Sequence, residues 1–218
     1  MSSQTIDIAQ PFFDVTFVSA VESYDVVGRA IVINVGDDSI FIEGQTLTPL
    51  QSIIVVNAQL IRVDKVLLVF GFDKYKDEAD LMASIRQVWP SAFELRGEER
   101  LRGVEHYMSP KVWLGQMGLT FYHSASIPLN VGLHKEHPFC AIPGFREVHT
   151  QIVGLGKMQQ CAEQDLSTLY LEEIMAPGVT HRPMYDADGN YPWHQFETIT
   201  PSIFMALEFL PNGANPPS

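Results

Sequence analysis

Histidine is the residue type whose distribution along this chain points most directly to chemistry. The chain of 218 residues contains seven histidines, and all of them lie between His106 and His194. Neutral imidazole is the commonest metal ligand in proteins, and because it titrates near neutral pH it also serves as a general acid or base. We therefore expect the chemistry of this protein in the second half of the chain.

The segment that runs from Arg146 to Met158 places polar residues at every second position. In a β-strand this spacing puts Glu147, His149 and Gln151 on one face. That face is either exposed to solvent or lines a polar pocket. We predict Glu147 and His149 as catalytic residues, since either can move a proton, and Gln151 as a contact to substrate.

Further imidazoles flank this segment on both sides. His134 and Glu136 share strand parity, whereas the neighbouring His137 points the other way. His181 follows a Pro-Gly turn, and His194 opens the last predicted strand. Several imidazoles and a carboxylate that converge at one end of a barrel suit Fe, Mn, Ni, Cu or Zn as a divalent ion. His106 and His123 lie outside this set.

At these residues the chain resembles the cupin superfamily, whose members are small antiparallel β-barrels of the jelly-roll type. Glu147 precedes Gly154 by the spacing of the first cupin motif, and Gly178-Val179-Thr180-His181 matches the second. His194 fits the second-motif histidine about as well as His181 does. The resemblance covers roughly residues 110–210, and the gap between His134 and Glu147 is longer than in the family pattern.

The resemblance implies one divalent transition metal and dioxygenase, isomerase or lyase chemistry on a small polar metabolite. The preferred ligands are His134, then Glu147 or His149, then His181 or His194. Gln151, Tyr191 and Trp193 are the predicted substrate contacts. The alternative is a cupin that binds or senses a small molecule without catalysis.

The elements that must position these residues are mostly strands. Residues 26–35, 39–43, 53–56, 58–63 and 66–70 read as short strands, with a break at Asn57, and residues 112–122 read as one strand. The only clear helix is predicted at 77–89. We predict an all-β-dominated chain with a β-rich domain at 1–105, a cupin barrel at 106–210 and a disordered tail at 211–218. The first domain, which has no histidine, is a candidate degenerate cupin, which would make the protein a bicupin.

Composition narrows the classes of partner. The net charge of −12 disfavours nucleic acid and anionic membranes as partners. The apolar runs fall short of the roughly 20 residues that a membrane span needs. No signal peptide is predicted, and the two cysteines, Cys140 and Cys161, do not make a disulfide framework. We expect a cytoplasmic homodimer that binds a small molecule.

Overall fold

The structure of the protein is a computed structural model. It describes residues 2–74, 78–125, 132–135, 139, 142–185, 190–214 and 216, so the predictions for Glu136, His137 and Cys140 lie outside the described residues. The chain divides into two compact units, Met1–Asp77 with Gly178–Thr180 and Glu78–Pro177 with His181–Ser218. This division falls earlier than the predicted boundary after residue 105, because the helices that follow residue 77 belong to the second unit.

The first unit is a five-stranded antiparallel sheet. Its strands are β1 (Ser2–Ile6), β2 (Asp14–Asn34), β3 (Ile40–Ile42), β4 (Gln45–Leu47) and β5 (Ser52–Phe70). They lie side by side in the order β1-β2-β5-β3-β4. All five strands come from the first 70 residues, so this segment builds its own sheet.

The two long strands of this sheet bend where they pass each other. The backbone N–H of Gly28 donates to the Asn57 side chain over 2.8 Å, and both residues have positive φ. Asn57, predicted as a strand break, is thus a kink inside one long strand. Beyond the kink the sheet curls until Ala30 pairs with both Val55 and Phe70. A cluster of buried apolar side chains forms the core of this unit.

The second unit contains helices α1 (Glu78–Val88) and α2 (Ala92–Arg96) and two antiparallel sheets. The larger sheet has the order β6-β8-β13-β9 and comprises β6 (His106–Met108), β7 (Val112–Leu114), β8 (Met117–Ser124), β9 (Arg146–Val153) and β13 (Ser202–Phe209), with β7 paired to β8. The smaller sheet comprises β10 (Gly156–Cys161), β11 (Leu169–Met175) and β12 (Trp193–Thr198), with β10 in the middle. Short 3-10 turns occupy Glu99–Leu101 and Leu166–Thr168.

The β-dominated antiparallel architecture confirms the predicted fold class and is consistent with a cupin-like barrel. Helix α1 lies where the sequence predicts it. Within the described part of the chain, no helix combines the length and the apolar character that crossing a membrane requires.

One predicted strand is wrong in detail. Residues 112–122 are not one strand but a hairpin, in which Leu114 pairs with Met117 across the two-residue turn Gly115-Gln116. Gly115 has a φ of +61°, a left-handed conformation that glycine adopts at little cost. The apolar residues on both sides of the turn hide this signal from a reading of hydrophobicity alone.

The start of the predicted tail takes part in hydrogen bonds. The backbone N–H of Ala214 donates to the carbonyl of Pro211 over 3.1 Å, and the Gln116 side chain donates to the same carbonyl. Residues 215, 217 and 218 lie outside the described residues.

Candidate functional site

Three neighbouring strands of the larger sheet carry polar residues on a single face. The cross-strand register places Gly118, Glu208 and Glu147 in a first row, Thr120, Ala206 and His149 in a second, and Tyr122, Phe204 and Gln151 in a third. We call these nine residues the polar face. Glu147 is 6% exposed and Gln151 is fully buried. The face that the sequence left open between solvent and pocket is therefore buried.

Glu147 and His149 form a direct pair on this face. Nε2 of His149 lies 3.0 Å from Oε1 of Glu147, and their side chains are 12% and 8% exposed. Since a carboxylate accepts, the proton of the neutral imidazole belongs on Nε2, which leaves a lone pair on Nδ1. No described residue provides a hydrogen-bond partner for that buried Nδ1.

Two more buried atoms of the polar face have no hydrogen-bond partner within the described part of the chain. They are Oγ1 of Thr120, which is separated from His149 only by the small side chain of Ala206, and Oε1 of Gln151. The amide nitrogen of Gln151 donates to the Val153 carbonyl over 2.8 Å. Because buried polar groups are nearly always paired in folded proteins, three such atoms on one face favour a site for a polar ligand or water.

Cationic side chains close the ends of the polar face. Lys111 donates to Glu208, and Arg96 donates to the Tyr122 hydroxyl. Burial raises the pKa of Glu208, and the negative charge of its cross-strand neighbour Glu147 raises it further. Burial likewise raises the pKa of Tyr122, so this hydroxyl stays protonated at neutral pH.

His181 is held by the backbone of its neighbours. Its Nε2 accepts the backbone N–H of His149 over 2.9 Å, and its Nδ1 lies 2.6 Å from the Arg182 carbonyl. Both ring nitrogens are thus engaged, with the proton on Nδ1. Burial and the nearby His149 lower the pKa of His181 to about 3. A metal ion at Nε2 would have to displace the His149 N–H.

His134 and His194 form a second pair of imidazoles. Their backbones exchange hydrogen bonds of 3.0 and 2.9 Å, and their ring centroids lie 4.4 Å apart. In each case Nδ1 faces a carbonyl two residues earlier, at 3.2 Å from Gly132 and 2.9 Å from Pro192. These contacts orient both rings, as backbone carbonyls commonly do for histidines that bind metals.

The predicted ligands therefore fall into two pairs with His181 beside one of them. The rings of His181 and His149 lie 5.2 Å apart, and His194 acts on His181 electrostatically. Searched over the described residues, the chain has no group of three or more His, Cys, Asp or Glu side chains arranged to hold a metal ion. Within the described residues, the predicted ligands therefore form no three-ligand group, and the predicted ligand neighbours Glu136 and His137 lie outside those residues.

The predicted substrate contacts lie in different places. Gln151 belongs to the polar face, whereas the Tyr191 ring lies 6.2 Å from that of His194 and its hydroxyl donates to the Phe145 carbonyl over 3.5 Å. Trp193 begins β12 and pairs with Cys161. His106 bonds Ser124, and the two are cross-strand neighbours at the end of the larger sheet.

Sequence reasoning missed Glu208, Lys111, Thr120 and Tyr122. One signal was available, because Glu208 is the only charged residue in the otherwise apolar stretch Ile203–Phe209. A lone carboxylate in such a strand needs a partner when the strand is buried. The partner, Lys111, lies 97 residues away along the chain, and no spacing rule connects the two.

No model of a known protein family and no curated protein matches this chain. Solved structures do. A point mutant of oxalate decarboxylase from Bacillus subtilis is 11% identical, with 95% of this chain and 71% of that chain covered and a TM-score of 0.35. Oxalate decarboxylase from Lactobacillus farciminis, in a formate complex, is 11% identical over 91% and 77% of the two chains, with a TM-score of 0.31. The 11S globulin from Wrightia tinctoria is 11% identical over 92% and 76%, with a TM-score of 0.32.

Proposed function

We propose that the polar face binds a small polar metabolite and that Glu147 and His149 move a proton on it. The observation that carries this proposal is the 3.0 Å contact between Glu147 and His149 Nε2, which leaves the buried Nδ1 of His149 without a partner among the described residues. An imidazole whose second nitrogen is oriented by a carboxylate is a common form of general base.

The chemistry follows from the roles that each group is able to take. Nδ1 of His149 accepts a proton from the substrate, and the Glu147 carboxylate stabilises the imidazolium that results. The Thr120 hydroxyl donates to a substrate carbonyl or oxyanion, where a fixed donor in a water-poor site is most effective. Oε1 of Gln151 accepts from a substrate hydroxyl. Removal of a proton next to a carbonyl is a step that many isomerases and lyases use.

The test begins with binding and ends with proton exchange. A panel of 2-oxo acids and 2-hydroxy acids is screened by calorimetry, and each compound that binds is incubated with the protein in D₂O. We expect NMR to detect deuterium at the carbon next to the carbonyl. Glu147→Gln and His149→Asn should slow this exchange about 10²-fold or more, the size of a general acid–base contribution. Glu163→Gln, at an exposed residue, is the matched control.

Two results would overturn the proposal. One is the absence of saturable binding by every compound of the panel. The other is exchange at the wild-type rate in both Glu147→Gln and His149→Asn proteins that melt at the wild-type temperature.

A divalent transition metal is the second candidate ligand of this site. Two donor atoms at about 2.1 Å from one ion, and at the right angle of an octahedral site, lie about 3.0 Å apart, which is the separation of Glu147 Oε1 and His149 Nε2. In this alternative the metal would take the place of the proton on Nε2, would be held by these two side chains and would act as a Lewis acid. Elemental analysis of protein purified without a histidine tag, before and after reconstitution with Mn, Fe, Ni, Cu or Zn, tests this. Sub-stoichiometric metal after reconstitution would exclude it.

We also propose that the chain is a cupin with two barrels, of which the first has no site. This is supported by the curled sheet of residues 2–70, its apolar core and the absence of histidine before His106. An experimental structure in which the strands of the two units superpose in the same order would bear this out. Different strand orders would contradict it.

A further inference from the structure

A cavity of about 450 Å³ in the second unit is lined by aromatic rings and hydrogen-bond donors rather than by the polar face. Its volume lies within the roughly 300–1,000 Å³ that small-molecule sites occupy. The lining residues that matter here are Lys135, Gln160, Tyr170, Tyr185 and Tyr191. None of the nine polar-face residues contributes to it, so the cavity is a separate place in the fold.

Three tyrosines, Tyr170, Tyr185 and Tyr191, form the aromatic wall of the cavity. The Tyr185 and Tyr191 rings lie 6.1 Å apart at an angle of 58°. The Tyr191 hydroxyl donates to the Phe145 carbonyl over 3.5 Å. Rings at this separation of 6.1 Å already contact each other, so a ligand ring packs against the pair. Planar aromatic ligands make such edge and face contacts better than saturated rings of the same size.

The polar groups on the cavity wall include a cation and an amide donor. Oε1 of Gln160 accepts from the Tyr170 hydroxyl over 3.1 Å, so Gln160 has its NH₂ group left to offer a ligand. Lys135 supplies a positive charge, and no carboxylate is among the lining residues in the described part of the chain. A cation and an amide donor in a protein of net charge −12 select for an anionic group on the ligand.

We infer that this cavity binds a small aromatic carboxylate, with the ring packed against Tyr185 and Tyr191 and the carboxylate on Lys135 and Gln160. The inference is independent of the proposed function, because it involves other residues and needs no proton transfer. The cavity adjoins the pair of His134 and His194, because Lys135 follows His134 in sequence and Gln160 pairs with His194 across strands.

Calorimetry with four probes tests the inference on the full chain. Benzoate and phenylacetate carry both features, cyclohexanecarboxylate keeps the charge without the aromatic ring, and benzyl alcohol keeps the ring without the charge. We expect the aromatic carboxylates to bind about tenfold more tightly than benzyl alcohol, because the charge-assisted hydrogen bonds are lost. Cyclohexanecarboxylate should bind several-fold more weakly than benzoate.

Variants locate the site. Lys135→Gln, at an exposed residue, should weaken benzoate about tenfold, and Tyr185→Leu should weaken it several-fold. Lys65→Gln, at an exposed lysine of the first unit, should leave it unchanged. Glu147→Gln should also leave it unchanged, so that failure of the proposed proton transfer and failure of this inference give different results.

Three outcomes would overturn the inference. They are the absence of saturable benzoate binding up to about 10 mM, which corresponds to less than about 3 kcal/mol of binding free energy, wild-type affinity in Lys135→Gln, and equal affinity for benzoate and benzyl alcohol.

Discussion

His149 and His181 are joined by two hydrogen bonds that both involve the backbone of His149. The His149 N–H donates to Nε2 of His181 over 2.9 Å, and the His181 N–H donates to the His149 carbonyl over 3.2 Å. The imidazole of His181 therefore acts as a backbone acceptor that fixes the strand carrying Glu147 and His149. This relationship gives His181 a positioning role and separates it from the general base.

Two substitutions of His181 test this positioning role, because each replaces only one of the two ring nitrogens with another polar atom. Asparagine keeps a polar atom near Nδ1 and leaves the His149 N–H without its acceptor, whereas glutamine places an oxygen near Nε2. We expect His181→Asn to lose about 1–3 kcal/mol of unfolding free energy, the cost of a buried unpaired donor, and His181→Gln to lose less. Urea denaturation measures both. Equal stability of the two variants would contradict the role.

The two buried histidines with lowered pKa values should make stability fall in acid. The pKa of His181 is about 3 and that of His123 about 4, both lowered chiefly by burial. In the unfolded chain the histidine pKa is near 6.5. Between the folded pKa values and 6.5 the unfolded chain therefore binds more protons than the folded one. The free energy of unfolding rises with pH through this range and decreases as the pH falls below about 6.5. Glu208, whose pKa is raised, acts in the opposite direction.

A difference measurement isolates one histidine from the rest. Between pH 4.5 and 6 the slope of unfolding free energy against pH should be smaller in His123→Gln than in the wild type, by up to about 1.4 kcal/mol per pH unit. Contributions from Glu208 and His181 are common to both proteins and cancel. Parallel curves in the two proteins would show that His123 is protonated equally in the folded and unfolded states.

The carboxyl group of Glu208 should respond to both of its charged neighbours. Glu147→Gln removes a negative charge from the adjacent strand and should lower the pKa of Glu208 toward its ordinary value, whereas Lys111→Met should raise it further. Carbon-detected NMR of the carboxyl groups reads the titration directly. Glu163→Gln is the control. Shifts of the same sign in the two test variants would be inconsistent with the contacts described.

Thr120 offers a test of whether the polar face is built for a ligand. Its hydroxyl is buried with no partner in the described part of the chain, so Thr120→Val should raise the unfolding free energy of the unliganded protein by about 1 kcal/mol. The matched change Thr168→Val removes a hydroxyl that donates to the Asp165 carbonyl over 2.7 Å and should be destabilising. A destabilised Thr120→Val protein would indicate that the hydroxyl is already satisfied by bound water.

The turn after β9 depends on a glycine for two separate reasons. Gly154 has a φ of +74°, and a Cβ there would lie 2.1 Å from the Pro201 carbonyl oxygen. Gly115 also has a positive φ, of +61°, but a Cβ there would meet open space. We expect Gly115→Ala to cost about 1–2 kcal/mol from the left-handed backbone and Gly154→Ala more than about 4 kcal/mol. Similar melting temperatures would contradict the close approach.

The sequence alone determined the local features of this protein. The alternation in β9 put Glu147, His149 and Gln151 on one face, the turn and charge pattern located α1, and the confinement of histidine to residues 106–194 separated the two halves. These features depend on side-chain periodicity over a few residues, which the backbone geometry of a strand or a helix imposes wherever it occurs.

Only the tertiary structure decided which residues of β8 and β13 join those of β9 on the polar face. The register of β9 against β13 and of β13 against β8 brings Glu208 beside Glu147 and puts Thr120 and His149 on either side of Ala206. The commitment of His181 to a backbone N–H depends on a contact between residues 32 positions apart. The sequence around a histidine does not show whether its ring nitrogen accepts from an N–H or binds a metal ion or a substrate, because the partner depends on packing between segments that are distant in sequence.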